Sequence, residues 1–341
     1  MRFGSVCSGV EAASLAWQPL GWQPSFYSEI EDFPREVLKF HHPEISLHGD
    51  FTTIGAEQYD PIDLLVGGTP CQSFSIAGLR KGMADNRGNL ALEFLKLAKR
   101  TRPHWVVWEN VPGVLSSHGG RDFGALLGGL GEIGYGFAYR VFNAQYFGVP
   151  QRRRRVFLVG YLGDWRPPAS VLFERESLRG DPVPSREKGE GLAGTTRDSS
   201  EGRGVKTFRM KGFGDYVDDD RASTVKERDY KDSTDLVVYC ADTSPTVTSS
   251  GPPFSRTGNS RVEADAMVVM NDNRVRRLTP IEVERLQGFP DNYTKIAYRG
   301  KPADQCPDAP RYSAMGNSMA VPVMNWIGKR IDEVDKRMGV Q

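Results

Sequence analysis

The chain has 341 residues, and its 44 Lys and Arg stand against 43 Asp and Glu for a net charge of +1. That length leaves room for one large domain or two smaller ones, and a balanced total can still hide a local basic patch. Cys7, Cys71, Cys240 and Cys306 are too scattered for a disulfide framework or a zinc site, so a reducing compartment and no metal are expected.

The opening MRFGSVCSGV lacks the apolar run of a secretion signal, and no stretch reaches the length of a bilayer span. A soluble, cytoplasmic protein with no membrane contact is expected. RFGSVC reads as a strand, EAASLAWQPL as a helix, SFYSEI as a strand and DFPREVLKFHH as a helix. IDLLVGG is a continuous apolar run bounded by Pro61 and the Gly67-Gly68 pair, which predicts a buried strand. NLALEFLKLAKR repeats Leu and Phe at helical spacing, HWVVWEN is another buried strand, and VFLVGYL is the last clear one. Strand–helix alternation predicts an α/β fold: a parallel sheet with helices on both faces.

The character changes after about Trp165. Residues 167–272 are rich in Gly, Ser, Thr, Pro and charge, with apolar runs as short as DLVV and AMVV. They predict an irregular, β-rich module with large loops. A weak echo runs through it. Ser223-Thr224-Val225 followed by Asp235-Leu236-Val237-Val238 resembles Pro245-Thr246-Val247 followed by Asp265-Ala266-Met267-Val268-Val269. Two similar strand pairs are the plain reading; a duplicated recognition element is the alternative. Order returns near Arg276. Thr279 caps a helix with Pro280 at its first position, and Glu282 completes a capping box. AVPVMNWIGKRIDEVDKRM predicts a final helix with one apolar face.

Three segments carry chemistry. In Gly67-Gly68-Thr69-Pro70-Cys71-Gln72-Ser73-Phe74-Ser75, a cysteine follows the carboxyl end of a buried strand, where α/β sheets collect their ligands. A cysteine there is positioned as a nucleophile, although a lone cysteine is more often a small buried hydrophobe. In Trp108-Glu109-Asn110-Val111-Pro112, an apolar strand delivers a carboxylate at its end. Desolvation should raise its pKa and suit it to proton donation; the alternative is a structural Glu paired with an Arg. In Gln151-Arg152-Arg153-Arg154-Arg155, a strand starting inside the run would point Arg153 and Arg155 the same way. The alternative is a basic patch that touches phosphates.

In this order and spacing, P-C-Q, E-N-V and Q-x-R-x-R resemble the DNA (cytosine-5)-methyltransferase family. Asp85-Asn86-Arg87-Gly88-Asn89-Leu90, Arg277-Leu278-Thr279-Pro280 with Glu282 and Arg285-Leu286-Gln287-Gly288-Phe289-Pro290, and Gly316-Asn317-Ser318 with Val321-Pro322-Val323 resemble further blocks of that family. The resemblance covers roughly 1–165 and 274–335. It implies a Rossmann-like S-adenosylmethionine-dependent sheet plus a smaller β-rich target-recognition domain. The catalytic domain would be 1–165, completed by a C-terminal helix within 310–341. The recognition domain would be 166–309, with its variable part at 167–272 and a hinge-like block at 274–292.

The resemblance assigns Cys71 to attack on cytosine C6, Glu109 to contact and protonate N3, and Arg155 with Arg153 to the electrostatics of the base. The base would be flipped from the duplex, with 72–89 as a closing loop. Gln72, Ser75 and Arg80 would contact DNA there; Arg256, Asn259 and Arg261 would read base edges or sit as solvated loop residues. The family opens its donor site with F-x-G-x-G-G. Here Cys7 stands at the aromatic, Gly9 keeps the first glycine, and Glu11 and Ala12 replace the later ones. Cys7, Ser8, Gly9, Val10, Glu29, Ile30, Asp50, Phe51, Pro70, Leu90, Asn317 and Ser318 would line the site of S-adenosylmethionine and its product S-adenosylhomocysteine. Cys7 itself is read as packing, not as a second nucleophile. Double-stranded DNA is the implied partner, with the chain a monomer and a restriction endonuclease of the same specificity a further possible partner. Three alternatives stay open: a transfer-RNA cytosine methylase, a catalytically silent DNA-binding protein, and a dinucleotide-binding oxidoreductase, the last weakened by the lack of G-x-G-x-x-G.

Overall fold

The computed structural model describes residues 1–70, 90–173 and 278–339 in full, and between 204 and 276 only the backbone of strands. Its centre is a seven-stranded sheet. The strands are β1 (Arg2–Val6), β2 (Gln23–Ser28), β3 (Ser46–His48), β4 (Leu64–Gly67), β5 (Trp105–Asn110), β6 (Tyr135–Asn143) and, after the short β7 (Gln151–Arg152), β8 (Arg154–Leu162). They lie in the order β3-β2-β1-β4-β5-β8-β6. β1 through β5 pair in parallel; β8 runs antiparallel to both β5 and β6. The order reverses between β1 and β4, so a crevice opens beyond their carboxyl ends.

Alternate residues along each central strand serve opposite layers. Leu64, Val66, Trp105, Val107, Phe157 and Val159 face one buried cluster. Leu65, Val106, Trp108, Val156 and Leu158 face the other. The first layer is covered by α1 (Ala12–Trp17) and a long C-terminal helix, with Trp17, Met324, Ile327 and Ile331 at its heart. The second is covered by α3 (Leu90–Thr101) and α4 (Arg121–Glu132), through Phe94, Leu97, Phe123 and Leu126. Helix α2 (Asp32–His41) sits beyond β2 and joins a third cluster.

Several elements escaped the sequence reading. β6 is an edge strand of mixed Gly, Arg and Tyr that is buried only in part, so it shows no apolar run. α4 contains four glycines, which read as breaks. α5 (Arg166–Leu172) begins on Pro167-Pro168 and lies where the composition turns polar. Its Val171 and Leu172 are nevertheless buried in the first cluster, and Arg140 donates to the Leu172 carbonyl at 3.0 Å.

In the central region, β9 (Gly204–Gly212), β10 (Asp215–Asp218), β12 (Asp235–Cys240), β13 (Met267–Val269) and β14 (Val275–Arg276) form a second sheet, while β11 (Ala222–Ser223) pairs with β7. The sequence echo has a structural counterpart here. Leu236-Val237-Val238 and Met267-Val268-Val269 are neighbouring parallel strands, paired residue for residue.

After Arg276 the chain returns to the first body. α6 (Pro280–Gln287) starts on the expected capping box, with the Thr279 side chain accepting from the Glu282 amide and Glu282 accepting from the Thr279 amide. Val283, Phe289, Tyr293 and Ile296 pack with Val10, Phe33 and Val37. α7 (Asp308–Asn317) and α8 (Val321–Met338) follow. α8 is tied to α1: Trp17 Nε1 donates to the Met324 carbonyl at 2.8 Å, and Asn325 donates to the Ala16 carbonyl at 2.9 Å. No described helix is long and apolar enough to cross a membrane.

Gly328 is the point of closest approach between α8 and Trp17. A Cβ there would lie 2.4 Å from the indole. Gly328→Ala should therefore destabilise the protein by about 1–3 kcal/mol through overpacking, read as a lowered denaturant midpoint. An unchanged midpoint would show that the α1–α8 contact yields freely.

Candidate active site

The turn after β1 is unusual. Cys7, Gly9 and Glu11 all adopt positive φ, at 49°, 56° and 65°. For the two non-glycine residues that conformation costs about 1–2 kcal/mol each. Hydrogen bonds hold it. Ser8 donates to the Ser28 carbonyl from its amide at 3.1 Å and from its hydroxyl at 3.2 Å. Gly9 donates to Glu29 Oε2 at 2.7 Å. The other Glu29 oxygen accepts from the amides of Ile30 and Glu31 at 2.8 and 2.9 Å. Glu29, read from the sequence as a ribose ligand, is thus engaged as a clamp between the first turn and the end of β2. Arg35 fixes the same corner, donating to the carbonyls of Glu29 and His48.

The Cys7 thiol is pushed up to about 12 by burial first, then by Glu29 and Asp50. It stays protonated at neutral pH, in keeping with packing and against nucleophilic use. Glu11 is 1 % exposed. Its Oε1 accepts from the Ser14 amide and hydroxyl at 3.1 and 3.2 Å, and its Oε2 from the Ser5 hydroxyl at 2.8 Å. Burial raises its carboxyl to about 7 against those hydrogen bonds.

The end of β4 is bound to the end of β5. Trp108 Nε1 donates to Thr69 Oγ1 at 2.9 Å, and Asn110 Nδ2 donates to the Thr69 carbonyl at 2.8 Å. Gly68 is needed for close approach: a Cβ there would sit 3.1 Å from Met319 Cε and 3.2 Å from Glu109 Oε2. Thr69 is buried and Pro70 exposed. Cys71, Gln72, Ser75 and Arg80 lie outside the described residues, as do Arg256, Asn259 and Arg261.

Glu109 is 8 % exposed at the end of β5. Burial raises its pKa; Arg155 and then Arg153 oppose the rise. Arg155 Nε lies 3.0 Å from Glu109 Oε1. Both sequence readings therefore hold at once: the carboxyl is desolvated, and it is paired with an arginine. Arg153 is buried and donates to the Ser318 carbonyl at 2.7 Å and to that of Gly316 at 3.2 Å. β8 begins inside the arginine run, at Arg154, and Arg153 and Arg155 both act on Glu109. The ladder breaks at Arg153, between β7 and β8, where its amide donates to the Gln151 carbonyl at 3.0 Å.

These elements enclose a cavity of ≈ 30 Å³ at the switch point, lined among others by Cys7, Gly9, Glu11, Glu109, Asn317 and Ser318. Ser8 lines it too, whereas Val10 is fully buried in the third cluster. Along the crevice, Ile30 is 67 % exposed, and Asp50 is exposed with its carboxylate accepting from the Thr52 amide. Phe51 is buried beneath them in the second cluster, and Leu90 opens α3 half-buried. Sequence reading gave no role to Thr69, Asn110 or Met319. Asn110 stood inside a quoted motif, and only its tie to Thr69 shows what it does. Among the described residues, no group of three His, Cys, Asp or Glu is arranged to hold a metal.

The C-5 cytosine-specific DNA methylase family matches residues 1–333. A protein of Escherichia phage P1 described as a DNA N-6-adenine-methyltransferase is 37% identical over 458 aligned positions, covering 96% of this chain and 61% of that protein. The chain thus spans about three fifths of that relative's length. The type II methyltransferase M.HpaII of Haemophilus parainfluenzae is 29% identical, over 97% of this chain and 89% of its own. The crystal structure of the S. pombe Dnmt2 methyltransferase superposes with a TM-score of 0.64 at 17% identity, covering 99% of both chains, a likeness of fold. A match that runs from the first strand into the last helix, over a sheet whose switch point carries the expected carboxylate and arginines, shows that this chain belongs to the C-5 cytosine-specific DNA methylase family.

Proposed function

We propose that this chain methylates carbon 5 of cytosine in double-stranded DNA, with Cys71 as the nucleophile. DNA cytosine-5 methylation is the reaction of the family to which it belongs. The observation that carries the assignment is Glu109: a buried carboxyl beside two arginines, on a cavity shared with the first turn and with Asn317–Ser318. Thr69, two residues before Cys71, is fastened to the same strand end.

Cytosine C5 is a poor nucleophile. Addition of the Cys71 thiolate to C6 makes the ring enamine-like and reactive at C5. Glu109, whose pKa burial raises, would donate a proton to N3, so charge does not accumulate as the thiolate adds. Arg155 and Arg153 would place positive charge beside the base without a need to reorganise. Loss of the C5 proton and elimination of Cys71 restore the ring. The base must leave the duplex to reach these groups.

S-adenosylmethionine supplies the electrophilic methyl group when bound. The residues present fit it. Asp50 offers a carboxylate for the adenine amine, and exposed Ile30 an apolar platform for its ring. Glu29 marks the ribose corner, and the Cys7–Gly9 turn with Asn317 and Ser318 would hold the methionine end. α5 and residues 278–309 pack with the first body, so the recognition segment is proposed to span 173–277, inside the 166–309 drawn from sequence. The phage P1 relative is named for adenine N6, an exocyclic amine that needs no thiol addition to the ring. The Pro70-Cys71-Gln72 and Glu109 pair fits ring attack instead.

A 5-fluorocytosine duplex should trap a covalent adduct on Cys71, since fluorine cannot leave as a proton does, and Cys71→Ser should form none and transfer no methyl. Normal turnover by Cys71→Ser, or methyl transfer to transfer RNA in place of DNA, would overturn the assignment. Glu109→Gln should lower kcat by about 10²–10⁴-fold while DNA binding changes little, measured by single-turnover kinetics. Asn110→Ala frees the Thr69 carbonyl and should slow the chemical step by about 10²-fold, the scale of a 1 Å misplacement, with donor affinity retained.

A further inference from the structure

Glu11 lines the cavity, is almost fully buried, and has no ion pair with a lysine or arginine among the described residues. Glu109, across the same cavity, has Arg155 and Arg153. An ionised carboxylate buried without a cation is costly. Glu11 also holds a backbone conformation that favours glycine, at φ 65°. Its side chain caps α1 by accepting from the Ser14 amide, but a serine or asparagine could cap as well, so the cap alone does not call for a buried acid on the cavity wall.

The donor provides what is missing. S-adenosylmethionine bears a sulfonium and an ammonium against one carboxylate, a net positive charge. Its spent form, S-adenosylhomocysteine, has lost the sulfonium charge and is neutral overall. We propose that the Glu11 carboxylate is the counter-charge to the donor's cationic methionine end, and that it separates donor from spent product by charge. This rests on the donor cleft proposed above.

Other groups around Glu11 cannot take that role. Tyr27, reached through the Ser14 hydroxyl at 2.7 Å, and Tyr293 are both pushed up and stay neutral. Cys7 stays a thiol. Glu29 is held by three backbone amides. Arg153 is turned to the carbonyls of Gly316 and Ser318. Glu109, the other carboxyl on the cavity, is already paired with Arg155; Glu11, raised by burial to about 7, has no lysine or arginine in contact among the described residues. The sign follows: a cation in the cavity lowers the Glu11 pKa, a proton passes to solvent, and donor affinity rises with pH through the unliganded value.

Calorimetric titration of both compounds into the full chain and into Glu11→Gln tests this, at pH 6 and pH 8 and in two buffers of different ionisation enthalpy. The wild type should bind S-adenosylmethionine about 10-fold tighter at pH 8 than at pH 6, releasing protons as it does. S-adenosylhomocysteine should shift less. Glu11→Gln should lose the pH dependence and lower the donor-to-product affinity ratio several-fold. A wild-type ratio and pH profile in Glu11→Gln, or donor binding by the wild type without proton release, would overturn the role of Glu11. A wild type that binds neither compound would overturn the donor cleft itself, a separate failure.

Discussion

A carboxyl group at the end of a strand buried on both sides cannot hold its place through water. Glu109 is held by protein instead: by the Arg155 guanidinium at 3.0 Å, by the field of Arg153, and by a glycine at position 68 that leaves room for it. Much of the surrounding architecture follows from that requirement. Arg153 has to be anchored, and the carbonyls of Gly316 and Ser318 anchor it. Those carbonyls have to be delivered, and α7 and α8 deliver them from the far end of the chain. Burial favours the neutral acid and the arginines favour the carboxylate. The competition leaves a raised pKa beside fixed positive charge, which suits proton donation to a ring nitrogen.

The same logic is repeated at the first turn with the opposite outcome. Glu29 lies at the end of β2 and Glu11 at the N-cap of α1, both beside the crevice. Glu29 is satisfied by three amides, while Glu11 is surrounded by hydroxyls and one amide, with no cation in contact among the described residues. Three carboxyls within one crevice are therefore held in three electrostatic settings, and their chemical roles diverge accordingly.

The central strands were legible because they are buried on both faces and so appear as unbroken apolar runs, as in Leu64-Leu65-Val66 and Trp105 to Trp108. The capping box at Thr279 was legible because both partners lie within four residues. Edge strand β6, glycine-rich α4 and proline-led α5 were not, since their burial comes from neighbours that no local window contains. The site divides along the same line. Glu109 and the arginine run stood out as motifs, but the carbonyls of Gly316 and Ser318 that hold Arg153 come from the far end of the chain. The clamp made by Glu29 and the tie from Asn110 to Thr69 depend on residues brought together by the sheet, so spacing alone could not reveal them.

The cavity wall has a further implication for how the protein comes into being. Most of it comes from the first 109 residues, with Asn317, Ser318 and Met319 closing it, so the wall is complete only after some two hundred further residues have been made. During synthesis the strands of the sheet can begin to pair well before α7 and α8 emerge from the ribosome. A nascent chain can therefore carry the segment with Cys71 and the strand with Glu109 while the part of the cavity wall from Asn317 to Met319 is still missing. Unfinished chains would lack the assembled pocket, and the methylation proposed above would await the docking of the last helix against Trp17.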